Sequence, residues 1–216
     1  MTIPAFMNNV LAQAAGKKIV PVVKLNRAED ALPLAQALIE GGLPVAEVTF
    51  RTDAAEASIR EMVKIPEMLV GAGTVTNTEQ AKRALDAGAS FLVTPGFSSK
   101  VTEFALEHSL PIFPGIATPT ELMMAVEYGL PVVKFFPAAQ YGGLAAIKAM
   151  AAPFPSVRFM PTGGVNASNI KEYLACDKVI ACGGSWMVKE DFIKTGDFAS
   201  VTRLTQEAVE LAQQSK

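Results

Sequence analysis

Eight short runs of β-favouring apolar residues recur along the chain, with amphipathic stretches of helical period between them. The runs are 19–23, 45–50, 68–72, 91–93, 111–113, 132–135, 157–160 and 179–181. The stretches 29–40, 54–64, 78–87, 99–107 and 119–128 carry apolar residues at the three-and-four spacing of one helix face. Glycines at 41–42, 88 and 129 stand where helices would end, the usual place for a left-handed cap. Thr118 or Thr120 before Glu121, and Asn77 or Thr78 before Gln80, have the form of helix starts. Strand followed by helix, repeated without a long linker, predicts a parallel sheet wrapped in helices. The expected fold is α/β: a single (β/α)8 TIM barrel over residues 1–216, with a short N-terminal helix at 3–16 laid across one end. At 216 residues the chain is near the lower size limit of that fold. A doubly wound open sheet is the alternative. It would be expected to carry a dinucleotide fingerprint after an early strand, and Gly71-Ala72-Gly73-Thr74 lacks the third glycine.

Composition narrows the function classes. Hydrophobic residues make up 50% and charged residues 19%, which excludes a disordered chain. A net charge of −2 offers no electrostatic footing for nucleic acid or an anionic membrane. No apolar stretch approaches the roughly 20 residues that span a bilayer, and no positive charge precedes Lys17, so the expected location is cytoplasmic. Cys176 and Cys182 match no metal or redox spacing, and His108 is the only histidine. Neither a metal nor another cofactor is expected.

In a barrel, the C-terminal strand ends form the active face. The sixth run, Pro131-Val-Val-Lys134-Phe-Phe136-Pro, holds one lysine among apolar neighbours. Strand alternation puts Val132, Lys134 and Phe136 on one face, directing the lysine inward. An unpaired ammonium is costly to bury, whereas a neutral amine there is a nucleophile. A lysine snorkelling from a strand end is the bland alternative. The second run ends Glu47-Val-Thr49-Phe-Arg51, so Glu47, Thr49 and Arg51 share a face; a structural ion pair would explain this equally. Gly71-Ala-Gly73-Thr74 permits close approach and offers a hydroxyl, and Thr94-Pro95-Gly96 follows the fourth run. Thr162-Gly163-Gly164 and Gly183-Gly184-Ser185 follow runs seven and eight, where barrels of this kind bind phosphate through backbone amides. Tight turns alone would also require those glycines. Lysine as nucleophile with carboxylate as proton shuttle points to carbonyl chemistry through an imine.

Taken in order, Glu47-Val-Thr-Phe-Arg51-Thr, Gly71-Ala-Gly-Thr74-Val, Thr94-Pro95-Gly, Pro114-Gly-Ile-Ala-Thr-Pro-Thr-Glu121, Lys134-Phe-Phe136-Pro-Ala, Pro161-Thr-Gly-Gly-Val and Gly183-Gly-Ser-Trp186 resemble the bacterial 2-keto-3-deoxy-6-phosphogluconate aldolases. Some members also cleave 4-hydroxy-2-oxoglutarate to pyruvate and glyoxylate. The resemblance covers essentially the whole chain. It implies a class I, metal-independent aldolase of the Entner–Doudoroff pathway, a homotrimer without cofactor. Its substrate would be a phosphorylated 2-keto acid, and its products pyruvate and glyceraldehyde 3-phosphate. By the same resemblance, Lys134 forms the Schiff base and Glu47 is the general acid/base. Arg51 and Thr74 hold the substrate carboxylate, and Gly163, Gly164 and Ser185 receive the phosphate. Thr162, Pro95 and Phe136 line the site. The sequence departs at Ala139, where many relatives carry glutamate. Two other classes remain open at this point: a phosphosugar isomerase using Glu47 without a covalent step, and a non-catalytic phosphometabolite-binding barrel.

Overall fold

The structure is a computed structural model and describes residues 5–215. The strands are β1 (Ile19–Val23), β2 (Val45–Thr49), β3 (Leu69–Gly73), β4 (Phe91–Val93), β5 (Ile112–Phe113), β6 (Gly115–Ile116), β7 (Val132–Phe135), β8 (Arg158–Pro161) and β9 (Cys182–Gly184). The helices are α1 (Ala5–Lys17), α2 (Ala31–Glu40), α3 (Ala55–Met62), α4 (Thr78–Asp86), α5 (Ser99–Glu107), α6 (Pro119–Glu127), α7 (Gly143–Ala151), α8 (Ile170–Leu174), α9 (Glu190–Thr195) and α10 (Phe198–Gln213). A 3-10 turn at Ala28–Asp30 leads into α2, accounting for the early part of the helical stretch predicted there.

Helix boundaries follow the local chemistry. Asn77 accepts from the amide of Gln80 at the start of α4, and Thr118 with Glu121 forms a reciprocal capping box on α6. Of the two candidates at each start, Asn77 and Thr118 are the caps. The predicted N-terminal helix is α1, displaced by a residue at its end; positions 3 and 4 of that expectation lie outside the described residues. Leu11, Ala12 and Ala15 of α1 face Pro131, Val132 and Arg158, at the starts of β7 and β8. The helix therefore lies over the N-terminal strand ends, away from the face that carries the chemistry.

All strand pairs are parallel and form a curled sheet in two parts. One part has six strands in the order β5-β4-β3-β2-β1-β9, and the other has β6-β7-β8. The single eight-stranded ring expected from the sequence is thus resolved as six plus three strands. The fifth predicted strand is found at Ile112–Phe113, and beyond Pro114, which has no N–H to donate to a ladder, a further strand, β6, begins. Between β8 and the β9 region the pairing is reduced to isolated bridges, Phe159 with Val179 and Thr162 with Gly183. The eighth strand was expected at 179–181 and is found at Cys182–Gly184, against Ile19, Val20 and Pro21 of β1.

Strands β2, β3, β4 and β7 are buried at every position, as a sheet covered on both faces requires. Phe91, Phe113, Phe135 and Phe159 are among the largest fully buried side chains. Within this apolar interior only a few charged groups occur, among them Glu47 and Lys134.

Candidate active site

The two charges come from strands in different parts of the sheet. Glu47 on β2 is flanked by Val22 of β1 and Gly71 of β3, and Lys134 on β7 by Gly115 of β6 and Met160 of β8. Across the interior, Lys134 Nζ donates to Glu47 Oε1 at 3.1 Å. Lys134 is 5% exposed and Glu47 not at all. The ammonium also lies over the Phe136 ring, 5.2 Å from its centroid. Lys134 is therefore paired rather than alone, and it does not snorkel: it points inward to a carboxylate.

A structural ion pair is a weaker account of this geometry than it was of the sequence. Glu47 Oε2 is buried and has no hydrogen-bond partner. A pair selected for stability is expected to satisfy both carboxylate oxygens, because an orphaned buried acceptor costs about 1–3 kcal/mol or more. An orphan beside a cavity is instead a vacant acceptor for a substrate hydroxyl or water. The neighbouring strand shapes this position. A Cβ at Gly73 would collide with Glu47 Oε1 and Cγ, so the bare backbone of β3 provides the room in which the carboxylate turns towards Lys134.

Two residues past Thr49, in the turn that follows β2, Arg51 lines the same cavity as Glu47. Its Nε donates to Thr49 Oγ1 at 3.0 Å. Thr74 follows β3 with φ +55°, a left-handed conformation that is uncommon outside glycine and often marks a functional turn. Gly163 and Gly164 also have positive φ, +94° and +78°. At Gly164 a Cβ would strike the methyl of Ala139, and at Gly183 a Cβ would strike the Thr162 hydroxyl. The glycine loops therefore approach neighbours too closely to carry side chains. Ala139, the departure noted above, lies against one of these loops and is not part of the cavity wall.

All ten residues singled out from the sequence meet around one cavity of about 350 Å³. Glu47, Arg51, Thr74, Pro95, Lys134, Phe136, Thr162, Gly163, Gly164 and Ser185 line it. Gly183, Gly184, Val22 and Val165 complete the wall, and nothing in the two valines marks such a role in sequence. The buried lysine–carboxylate pair, the Arg51 guanidinium and glycine-rich backbone thus share one cavity. Among the described residues no three His, Cys, Asp or Glu gather closely enough to hold a metal ion. No described helix is long and apolar enough to cross a membrane.

A family model described as KDPG and KHG aldolase matches residues 9–204. The chain is 51% identical over 195 residues to the 2-dehydro-3-deoxy-phosphogluconate aldolase of Treponema pallidum, covering 90% of this chain and 93% of that one. Among solved structures, it is similar to the KDPG aldolase of Legionella pneumophila, with TM-score 0.88, 40% identity and coverage of 92% and 97% of the two chains. That protein was captured at low pH with pyruvate as a covalent carbinolamine intermediate. It is also similar to the 2-keto-3-deoxy-6-phosphogluconate aldolase of Zymomonas mobilis, solved with 3-phosphoglycerate, with TM-score 0.89, 37% identity and coverage of 95% and 97%.

Proposed function

The chain belongs to the KDPG and KHG aldolase family, and from that premise we propose that Lys134 and Glu47 together carry out its Schiff-base chemistry. The protein is an aldolase, a carbon–carbon lyase. Its substrate on this reading is 2-keto-3-deoxy-6-phosphogluconate, with 4-hydroxy-2-oxoglutarate as a second substrate. The observation that carries the assignment is the buried contact of 3.1 Å between the amine and a carboxylate whose other oxygen has no partner.

The neutral Lys134 amine adds to the C2 ketone, forming a C–N bond while the carbonyl oxygen takes a proton. Glu47, within hydrogen-bonding reach of Nζ, is placed to move the protons as this carbinolamine loses water to a protonated imine. Glu47 then accepts the proton of the C4 hydroxyl. The C3–C4 electron pair flows into the iminium, leaving an enamine, and the C4 fragment departs as an aldehyde. Protonation at C3 and hydrolysis return pyruvate and the free lysine. The iminium is the better electron sink because its positive nitrogen is neutralised as the electron pair arrives, whereas a ketone oxygen would have to take on negative charge.

Arg51, with Thr74 beside it, is assigned the carboxylate end, since a planar guanidinium matches a planar anion. Gly163, Gly164 and Ser185 are assigned the phosphate, supported by their glycine-rich backbone at the cavity wall. Thr162, Pro95 and Phe136 are assigned as lining. We also read the six- and three-stranded parts as arcs of one (β/α)8 barrel, continuous through Pro114 and the bridges beside β9. The homotrimer and the cytoplasmic location are part of the same proposal, the first on the family resemblance and the second on the unpaired, buried Cys176 and Cys182.

Borohydride reduction in the presence of pyruvate and a metal chelator, followed by peptide mass mapping, tests the assignment. A reduced pyruvyl adduct on Lys134 is expected. A folded protein with no adduct would overturn the covalent mechanism and favour proton transfer by Glu47 alone.

A further inference from the structure

One buried side chain beside the cavity has no part in the chemistry above. Thr49, on β2 between Glu47 and Arg51, is 1% exposed. Its hydroxyl donates to the carbonyl of Val23, the last residue of β1, at 2.8 Å. A hydroxyl has one proton, so that bond leaves only lone pairs for anything else. Arginine has donors and no acceptor. The contact of 3.0 Å between Arg51 Nε and Thr49 Oγ1 therefore has one possible polarity, with the guanidinium donating.

This polarity has a consequence for recognition. A guanidinium can grip a carboxylate through its two outer nitrogens or through Nε and one outer nitrogen. With Nε committed to Thr49, the fork left to a ligand is the outer pair. We propose that Thr49 is a positioning residue that selects the edge of Arg51 presented to the carboxylate of a 2-keto acid. The relay runs from the end of β1 through the Thr49 hydroxyl to Arg51, and it ties the orientation of that side chain to the sheet backbone. The inference rests on the assignment of Arg51 to the substrate carboxylate.

A purely structural Thr49, present only to satisfy the Val23 carbonyl, makes a different prediction. The two are separated by measuring the half-saturating concentration for borohydride-trapped imine formation on Lys134, with pyruvate and with its neutral amide, pyruvamide. Thr49→Val keeps the volume and removes the acceptor. It is expected to raise the pyruvate value about tenfold, the size of a lost hydrogen bond to a charged group. The pyruvamide value should stay near that of the unaltered protein, and Thr49→Ser should restore the pyruvate value. In an Arg51→Gln background the Thr49→Val effect should vanish, because a residue acting through another has nothing left to position.

Equal losses for pyruvate and pyruvamide, or an undiminished Thr49→Val effect without Arg51, would overturn the proposal. So would an unchanged pyruvate value. Absence of any adduct in the unaltered protein would overturn the imine assignment and this inference with it, which distinguishes the two failures. If Thr49→Val does not fold, Thr49→Cys, with a much weaker acceptor of similar size, carries the same comparison.

Discussion

The position of Glu47 depends on an atom that its neighbour lacks. A methyl group at Gly73 would occupy the space of the carboxylate, so Gly73→Ala is expected to push Glu47 off Lys134. Activity should fall about 100-fold, within the range that a positioned acid/base contributes. Thermal unfolding should move much less than activity, because the displaced group is a side-chain end rather than the ladder; a paired assay of pyruvate release and melting temperature checks this. The charged members of the site were legible in the sequence because Lys134, Glu47 and Arg51 break apolar runs at period two. What they break towards was not legible. Gly73 read only as a weak sign of close approach by a ligand or another backbone, and its necessity to Glu47 appears only when β3 lies beside β2 in register, with Thr49 opposite Gly73. The Thr49 hydroxyl was equally hidden, since its partner lies 26 residues earlier in the chain.

Elements are held to one another by a different class of contact. Glu56 of α3 accepts from Arg60 on its own helix at 3.0 Å and from Arg83 of α4 at 2.7 Å. The hydrogen bond from Arg83, followed by that from Arg60, holds the Glu56 carboxyl below its ordinary range. A depressed carboxylate stabilises the fold fully above its unfolded value and loses that contribution as pH falls through the folded value. Glu56→Gln should therefore lower the melting temperature at neutral pH, and the gap from the unaltered protein should close in acid. A series of melts across that pH range measures it, and because the pair is on the surface, high salt should narrow the gap as well. The helices up to α6 and most strands were legible at this scale, with 19–23, 91–93, 99–107 and 132–135 falling where period and composition put them, whereas α7 to α10 lie beyond the stretches picked out by period. The strand after the fifth and the last strand were not legible. Proline at 114 separates β6 from the fifth, and the last is built of Cys182, Gly183 and Gly184, whose pairing uses backbone that side-chain propensity does not report.

For the molecule as a whole, the two thiols are set in different places, Cys182 in β9 and Cys176 in the bend after α8. Cys176 and Cys182 are both buried, and burial pushes the Cys182 thiol well above its ordinary range. Neither should react with a water-soluble thiol reagent at mildly alkaline pH while the protein is folded, and both should react in denaturant. Rapid labelling of the native protein would show that the β9 region opens without global unfolding. The general architecture was legible from the alternation of strand and helix. Its subdivision was not, because it depends on which backbone groups find partners across a curved sheet.

The pairing of β1 with β9 has a meaning in time as well as in space. Strand β1 leaves the ribosome early, and β2 covers one of its edges soon afterwards. Its other edge belongs to Cys182, Gly183 and Gly184, which are translated some 160 residues later. Throughout that interval Lys18 and Val20, whose backbone groups turn to the β9 side, present unpaired backbone to every other nascent chain nearby. Pro21 gives that edge no protection, because its own backbone turns towards β2; the edge is closed only when the backbone of Cys182–Gly184 arrives.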